Sequence, residues 1–289
     1  MVIVQYLLLH AIIQNTMAKK STSLLTRMWL RDAAEQLADA LIPSALLDAE
    51  IILAHTLRKS RTWLHAHDDE PLSMRQLDIA NARLALRLDR IPIAYIIGHK
   101  EFYGRLFKVT PSTLIPRPES EEIITLLKEY APTGTLIDVG TGTGCLGITA
   151  KLELPKLRVV ISDTSRFALK VAEENARILD ADVIIEKSDL LADIAYPLDV
   201  IIANLPYVDP SWDTSPETRH EPEEALFARM HGLELILKLI TQSQDRLRSN
   251  GLLFLEADVR QHQDIIDYAD KRGFIHEQTS GLIIVFRKA

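Results

Sequence analysis

Residues 199–208 read DVIIANLPYV, an apolar run that ends in an amide, a proline and an aromatic ring. The apolar run predicts a buried strand. At its end, Asn204 offers a carbonyl oxygen as a hydrogen-bond acceptor, and Pro206 disfavours a helical backbone at Leu205, which presents the Leu205 carbonyl as a second acceptor. Two acceptors that converge on one point suit a planar NH2 group. The pattern therefore predicts a site for an amide or exocyclic amine, with the Tyr207 ring as one wall, although an ordinary strand end with a surface tyrosine also fits it.

A glycine-rich turn follows another apolar run, in the segment LIDVGTGTGCLGITA that begins at residue 136. Gly140, Gly142 and Gly144 can adopt backbone angles that other residues avoid, and they let a ligand approach the main chain. The segment is typical of a strand, a turn and a helix, so the turn lies beyond the carboxyl end of the strand, where open α/β sheets bind ligands. We therefore expect this turn, which also contains Thr141 and Thr143, to hold a nucleotide-type cofactor.

Two acidic residues end the next two predicted strands. Asp163 closes VVISD, and a carboxylate at that position can accept hydrogen bonds from both ribose hydroxyls of an adenosine. Asp189, in EKSDLL, comes where the adenine would lie. The glycines alone leave the cofactor open, because Gly142, Gly144 and Gly147 also fit the G-x-G-x-x-G pattern of a nicotinamide dehydrogenase.

The predicted elements place these residues at one edge of a parallel sheet. From Thr135 onward apolar runs alternate with helical patterns, which is typical of a doubly wound α/β fold. The runs are TLIDVG, RVVISD, DVIIEKS, LDVIIAN and GLLFLEAD, and helices are predicted to begin near Cys145, Phe167, Glu223 or Gly232, and Arg260. The chain ends in two runs joined by little more than Ser280-Gly281, which predicts a hairpin whose last strand is antiparallel to its neighbour.

The region before the sheet divides into a helical part and a connecting part. Three amphipathic patterns, WLRDAAEQLADAL, SALLDAEIILAHTL and SMRQLDIANARLALRL, predict a small helical bundle. Gly98 and Gly104 punctuate strand-like runs after it, which predicts a hairpin. Arg117, between two prolines, either acts in the site or ties the hairpin segment to the α/β domain. The predicted domains are a helical domain over 17–90, a β-hairpin linker over 91–118 and an α/β domain over 119–289. Residues 1–16 are expected to lie outside the working fold.

Composition narrows the function classes. Lys and Arg total 33 against 40 for Asp and Glu, a net charge of −7, whereas proteins that follow nucleic-acid phosphates usually carry the opposite sign. The single cysteine excludes a disulfide framework and a cysteine-rich zinc site, and the histidines lack metal-ligand spacing. We expect a cytoplasmic protein without a metal, without direct nucleic-acid binding and without membrane association, whose partner is a small molecule or a basic protein.

Two resemblances sharpen these predictions. The segment DVGTGTG resembles the first motif of class I S-adenosylmethionine-dependent methyltransferases, a Rossmann-like class whose last strand is also antiparallel. Over nearly all of residues 23–289 the chain resembles the PrmC/HemK family of release factor glutamine methyltransferases. The matching segments are LLDAEIILAHTL, IPIAYIIGHKEFYGRLFKVTPSTLIPRPESEE, LIDVGTGTGCLGITA, ANLPYV, HEPEEALFA and GLLFLEAD. The run from Pro92 to Glu121 is the specific part, because generic methyltransferases lack it.

The family resemblance implies that 119–289 is the catalytic domain, and on that basis we expect 17–90 to be a substrate-docking domain. It also implies a reaction. A methyl group passes from S-adenosyl-L-methionine to the side-chain amide nitrogen of the glutamine in the Gly-Gly-Gln motif of class I peptide chain release factors. It implies cofactor binding by the turn Gly140–Gly144 and Asp163, with Asp189 or Leu190 near the adenine. The segment Asn204–Tyr207 would hold the glutamine, with Asn204 also next to the cofactor.

The sequence departs from the family pattern in ways that keep alternatives open. Leu205 replaces the first proline of the usual Asn-Pro-Pro-Tyr, which reduces the rigidity of the backbone acceptor. Ser120 stands where Thr is usual, and the loop between the last two strands is shorter. Asn-Leu-Pro-Tyr also resembles ribosomal RNA adenine N6-methyltransferases. The remaining alternatives are glutamine methylation of a ribosomal protein and a cofactor-binding protein without turnover.

Overall fold

A computed structural model describes residues 24–289, which form two compact units that meet in sequence between Asp89 and Arg90. The prediction for residues 1–16 lies outside the described residues. Within the described range, none of the helices combines the length and the apolar character that a membrane span requires.

The first unit is helical. Its helices are α1 (Thr26–Asp39), α2 (Ala45–Leu57), α3 (Arg61–Ala66) and α4 (Met74–Leu88). The three predicted amphipathic helices correspond to α1, α2 and α4. The short α3 was not predicted, because six residues are too few to show a helical period; its first turn is capped by the Ser60 side chain, which accepts a hydrogen bond from the Trp63 N–H.

The core of the helical unit contains one buried ion pair. Arg87 Nε donates to Asp48 Oδ2 over 2.7 Å, and both side chains are almost fully buried. Leu37, Ile52 and Leu53 are completely buried around the centre of the unit. Charges this deep must be paired, because a lone buried charge costs far more than the pair.

The second unit begins with a short helix, α5 (Ile93–Ile97), and a hairpin of strands β1 (His99–Phe102) and β2 (Arg105–Lys108). The predicted linker segment 91–118 therefore contains a helical turn before its hairpin. The hairpin turn consists of Tyr103 and Gly104, both with positive φ, the arrangement of a two-residue turn that matches strand twist. Phe102 and Phe107 are fully buried in a core that they share with the sheet.

A single side chain connects the hairpin to the glycine turn. Asn175 Oδ1 accepts from the Lys108 N–H over 2.7 Å, and its Nδ2 donates to the carbonyls of Lys108 at 3.0 Å and Thr143 at 2.8 Å. Asn175 is almost fully buried. Its amide therefore satisfies three main-chain groups that belong to two separate segments.

A seven-stranded sheet forms the centre of the second unit. Its strands are β3 (Thr135–Val139), β4 (Arg158–Asp163), β5 (Ile184–Lys187), β6 (Leu198–Ala203), β7 (Leu247–Glu256), β8 (Phe274–Ser280) and β9 (Ile283–Lys288). The spatial order is β5-β4-β3-β6-β7-β9-β8. Strands β3 to β7 are parallel, and β9 lies antiparallel to both β7 and β8. The predicted α/β sheet with an antiparallel last strand is confirmed.

Helices cover both faces of the sheet, which explains why its strands are continuously apolar. The helices are α6 (Glu121–Tyr130), α7 (Cys145–Glu153), α8 (Arg166–Ile178), α9 (Glu223–Leu226), α10 (Glu234–Arg246) and α11 (His262–Asp270). Successive residues of a strand enter opposite cores, as Leu136 and Ile137 do. The carboxyl ends of the parallel strands consequently meet at one edge, where the glycine turn, Asp163, Asn204 and Glu256 are found.

Candidate active site

A cavity of about 290 Å³ lies at the carboxyl edge of the parallel strands. It brings together most of the residues predicted from the sequence, both those expected to hold the cofactor and those expected to hold the amide. The predicted residues in its wall are Gly140, Thr141, Thr143, Asp163, Asp189, Leu190, Asn204, Leu205 and Pro206. Gly142, Gly144 and Tyr207 are not among the residues of this wall.

The glycine turn and Asp163 hold each other in place. Gly140, Gly142 and Gly144 all have positive φ, so the turn requires glycine at these positions. The Gly142 N–H donates to Asp163 Oδ2 at 3.0 Å, and the Ser165 N–H donates to Asp163 Oδ1 at 2.8 Å. Burial raises the pKa of Asp163, and the backbone donors oppose that rise. Each carboxylate oxygen keeps a second lone pair for a ligand.

Leu205 is anchored by its side chain. It is 4% exposed and belongs to one of the two sheet cores. A Cβ on Gly140 would lie only 2.8 Å from Leu205 Cδ2. The Leu205 side chain therefore packs against the glycine turn at a distance that leaves no room for a side chain at position 140. The sequence predicted a loss of rigidity where leucine replaces proline; the buried side chain supplies a different restraint at this position.

Asn204 belongs to a hydrogen-bond chain that the sequence did not reveal. Its Nδ2 donates to Ser120 Oγ at 2.9 Å, and Ser120 Oγ donates to Glu256 Oε2 at 2.6 Å. The Tyr207 hydroxyl donates to the other oxygen, Glu256 Oε1, at 3.2 Å. Burial raises the pKa of Glu256 and also that of the Tyr207 phenol. Tyr207 is thus held by its hydroxyl, and the ring is outside the cavity wall.

A second buried acid, Asp138, lies beneath the glycine turn. Its Oδ2 accepts from the Thr141 hydroxyl and, at 2.9 Å, from the Gly147 N–H. Its Oδ1 is buried without a hydrogen-bond partner, and burial raises the pKa of Asp138 to about 6. The sequence contains a signal for this residue, because the acid interrupts the apolar run LIDV two residues before the first glycine.

Arg117 ties the linker to the loop that follows β6. Its guanidinium donates to Glu221 Oε1 at 2.6 Å, and the Ile115 N–H donates to Glu221 Oε2 at 3.0 Å. The Glu221 side chain is 2% exposed, so this acid is a structural anchor. Arg117 also contributes to the cavity wall, so its structural role is observed and a role in the site stays a prediction.

Asp189 and Leu190 also line the cavity. The Asp189 side chain is more than half exposed and forms an ion pair with Lys238, whose Nζ lies 2.6 Å from Asp189 Oδ2. Leu190 is buried and has a positive φ. Cys145 also lines the cavity, but burial raises the pKa of its thiol to about 12, so the thiol stays protonated and is not a nucleophile.

This geometry fits an adenosine-type cofactor. The Asp163 carboxylate lines the cavity beside the glycine turn, and Asn204, Leu205 and Pro206 line the same cavity.

Comparison with known proteins agrees with this arrangement. Sequence models of the PrmC N-terminal domain and of the methyltransferase small domain match residues 28–98 and 119–221. The release factor glutamine methyltransferase of Koribacter versatilis is 35% identical over 232 residues, covering 78% of this chain and 83% of that protein. The one from Chlamydia trachomatis serovar D is 37% identical over 252 residues, covering 84% and 86%.

The chain belongs to the release factor glutamine methyltransferase family. The fold agrees, because a methyltransferase from Pyrococcus furiosus superposes with a TM-score of 0.52 at 19% identity, covering 72% of this chain and 98% of that one. The resemblance seen in the sequence is therefore confirmed, and this family member is a methyltransferase with the class I fold.

Proposed function

We propose that this enzyme transfers a methyl group from S-adenosyl-L-methionine to the side-chain amide nitrogen of the glutamine in the Gly-Gly-Gln motif of class I peptide chain release factors, in the cytoplasm. One observation carries the proposal. The Asp163 carboxylate and the Asn204–Pro206 segment line the same cavity, next to the glycine turn. A donor and an acceptor of the methyl group can thus be held side by side.

The cofactor half of the site consists of the glycine turn, Asp163, and the pair Asp189 and Leu190. Asp163 is the proposed partner of the two ribose hydroxyls, because its backbone bonds fix both oxygens and leave each a free lone pair. Leu190 supplies apolar surface for the adenine, and the exposed Asp189 can accept from its amino group. When bound, S-adenosyl-L-methionine supplies an electrophilic sulfonium methyl group.

The substrate half consists of Asn204, Leu205 and Pro206. A glutamine amide nitrogen is a weak nucleophile because its lone pair is delocalised. Acceptors at Asn204 Oδ1 and the Leu205 carbonyl would take both N–H hydrogens, which draws charge toward the nitrogen and aims its lone pair at the methyl group. As the N–C bond forms, the S–C bond of the sulfonium would break to leave a neutral thioether, and one N–H proton would be lost from the methylated amide to solvent. Such fixed dipoles favour the transfer without a strong base in the site.

The helical unit is proposed to contact the release factor. Glutamine is common in proteins, so the Asn204 segment alone would not select one glutamine. The unit presents an open groove lined by Leu30, Leu46 and Ala34, among others, and Leu46 is 59% exposed. Apolar surface of this kind at a groove is typical of protein contact sites.

The proposal is tested by methyl transfer from S-adenosyl-L-methionine labelled on its methyl group. The substrates are a purified class I release factor, its variant with the motif glutamine replaced by asparagine, a ribosomal protein fraction and ribosomal RNA. We expect label in the intact release factor alone and none in the variant. Label in ribosomal protein or RNA, with the release factor unlabelled, would transfer the function to one of the alternative substrates.

A further inference from the structure

The Asn204 amide has two orientations that differ only in which of its ends faces the cavity. In one, Oδ1 is available as an acceptor for a ligand; in the other, the NH2 group is. A substrate NH2 group is a donor, so only the first orientation can bind it. Something in the protein must select that orientation.

The proton of Ser120 makes the selection. A serine hydroxyl has one proton to donate and lone pairs to accept. An ionised Glu256 only accepts, so the Ser120 proton points to Glu256 Oε2, 2.6 Å away. The Ser120 oxygen is then left as an acceptor toward Asn204, and it takes the bond from Nδ2 at 2.9 Å. The amide carbonyl of Asn204 is consequently the end that remains for the cavity.

We propose that Glu256, acting through Ser120, is a positioning residue that fixes the Asn204 amide with its oxygen toward the substrate. The inference rests on the proposed function of Asn204 and deepens it. Glu256 lies at the end of β7 and does not line the cavity, so it acts on the substrate only through its two hydrogen-bonded neighbours.

The polarity of the chain depends on the charge of Glu256. A protonated Glu256 could donate to Ser120, which would then donate to Asn204 and favour the reversed amide. The groups that face Glu256 are the Ser120 and Tyr207 hydroxyls, the Arg117 guanidinium, the Glu119 carboxylate and the Cys145 thiol. Burial raises the pKa of Glu256, the hydrogen bonds from Ser120 and Tyr207 oppose the rise, and the charges of Glu119 and Arg117 add smaller contributions of opposite sign. Lower pH should therefore reverse the chain and reduce turnover.

The experiment compares five proteins: the wild type, Ser120→Ala, Ser120→Thr, Glu256→Gln and the matched control Ser243→Ala. Ser243 is also a buried serine whose hydroxyl donates one hydrogen bond, to the Leu239 carbonyl at 2.7 Å within α10, away from the cavity. Binding of S-adenosylhomocysteine is measured by calorimetry. The kcat and KM of methyl transfer to release factor are measured as a function of pH, and exchange of the Asn204 side-chain NH2 is measured by ¹⁵N NMR.

We expect Ser120→Ala and Glu256→Gln to lower kcat roughly 10- to 100-fold, as expected when a charge-assisted bond no longer orients a reacting group. Binding of S-adenosylhomocysteine should be unchanged in both. Ser120→Thr keeps the hydroxyl and should restore most of kcat, and Ser243→Ala should match the wild type. Glu256→Gln should also lose the acid limb of the wild-type kcat profile.

Equal losses in Ser120→Ala and Ser120→Thr, or a Ser120→Ala variant with wild-type kcat, would overturn the inference. The NMR measurement separates it from the proposed function, since it needs no substrate. Slow exchange of the Asn204 NH2 group in the wild type and fast exchange in Ser120→Ala supports the fixed orientation, even for an enzyme that labels no release factor. Fast exchange in both proteins contradicts it.

Discussion

The carboxylate of Asp163 offers the sharpest test of the cofactor site. Each of its oxygens already accepts one backbone N–H, from Gly142 and from Ser165. One lone pair per oxygen remains, which matches the two hydroxyls of a ribose. Replacement of Asp163 by alanine removes both remaining acceptors while the strand and the turn keep their own main-chain bonds to Ser162.

The magnitude follows from the two lost hydrogen bonds. A hydrogen bond to a charged group contributes about 1.5–3 kcal/mol. Two bonds at the lower figure amount to about 3 kcal/mol, which weakens the cofactor about 150-fold. Asp163→Asn should lose less cofactor affinity, because one acceptor oxygen remains. Its NH2 group, however, would face the N–H of either Gly142 or Ser165, and two donors cannot form a hydrogen bond with each other.

Calorimetric titration with S-adenosylhomocysteine measures the effect directly. The matched control is Asp182→Ala, an exposed aspartate that precedes β5 at the opposite edge of the sheet. Because the pKa of Asp163 is raised, affinity for the ligand should also fall as the pH falls through that pKa, and Asp163→Asn should abolish this pH dependence. An unchanged Kd in a folded Asp163→Ala protein would refute the assignment of the ribose to this carboxylate.

Three further predictions concern other parts of the molecule. Asn204→Ala should lower kcat about 100-fold with cofactor binding unchanged, as for loss of one preorganised group; parallel kinetics and calorimetry check it, and a loss of binding alone would count against it. Because the pKa of Asp138 rises on folding from 3.8 to about 6, its protonated form stabilises the fold, and that contribution is lost as pH rises through 6. In denaturant unfolding, the free energy of unfolding of the wild type should therefore fall by up to about 3 kcal/mol between pH 4 and pH 8, and that of Asp138→Asn should not show this fall. Parallel pH profiles of the two proteins would contradict this. Leu46→Lys should raise the KM for release factor several-fold and leave cofactor Kd unchanged, whereas Ile178→Lys, an exposed apolar residue of the second unit, should change neither.

Local sequence patterns were sufficient for most of the architecture. The sheet strands are buried on both faces and so appear as apolar runs, and the residues that close β4 and β6, Asp163 and Asn204, follow those runs directly. The short helices Arg61–Ala66 and Ile93–Ile97 were not predicted, because each has fewer than two turns and so cannot show a hydrophobic period.

The partners of the site residues could not be predicted, because they depend on long-range pairing. Ser120 and Glu256 are 136 positions apart, and Arg117 and Glu221 are 104 apart. A single sequence contains no signal that joins such residues. The sequence does contain a weaker signal for Glu256. Like Asp163, Glu256 closes an apolar strand at the ligand-binding edge of the sheet, and the argument used for Asp163 applies equally to Glu256.

The three hydrogen bonds of Asn175 couple the hairpin rigidly to the glycine turn. Lys108 in the hairpin and Thr143 in the turn are both attached to this one amide, so displacement of either segment strains the attachment of the other. Ligand binding that stiffens the turn would therefore stiffen the hairpin as well, and a protein that presses on the hairpin would transmit that force to the wall of the cofactor cavity.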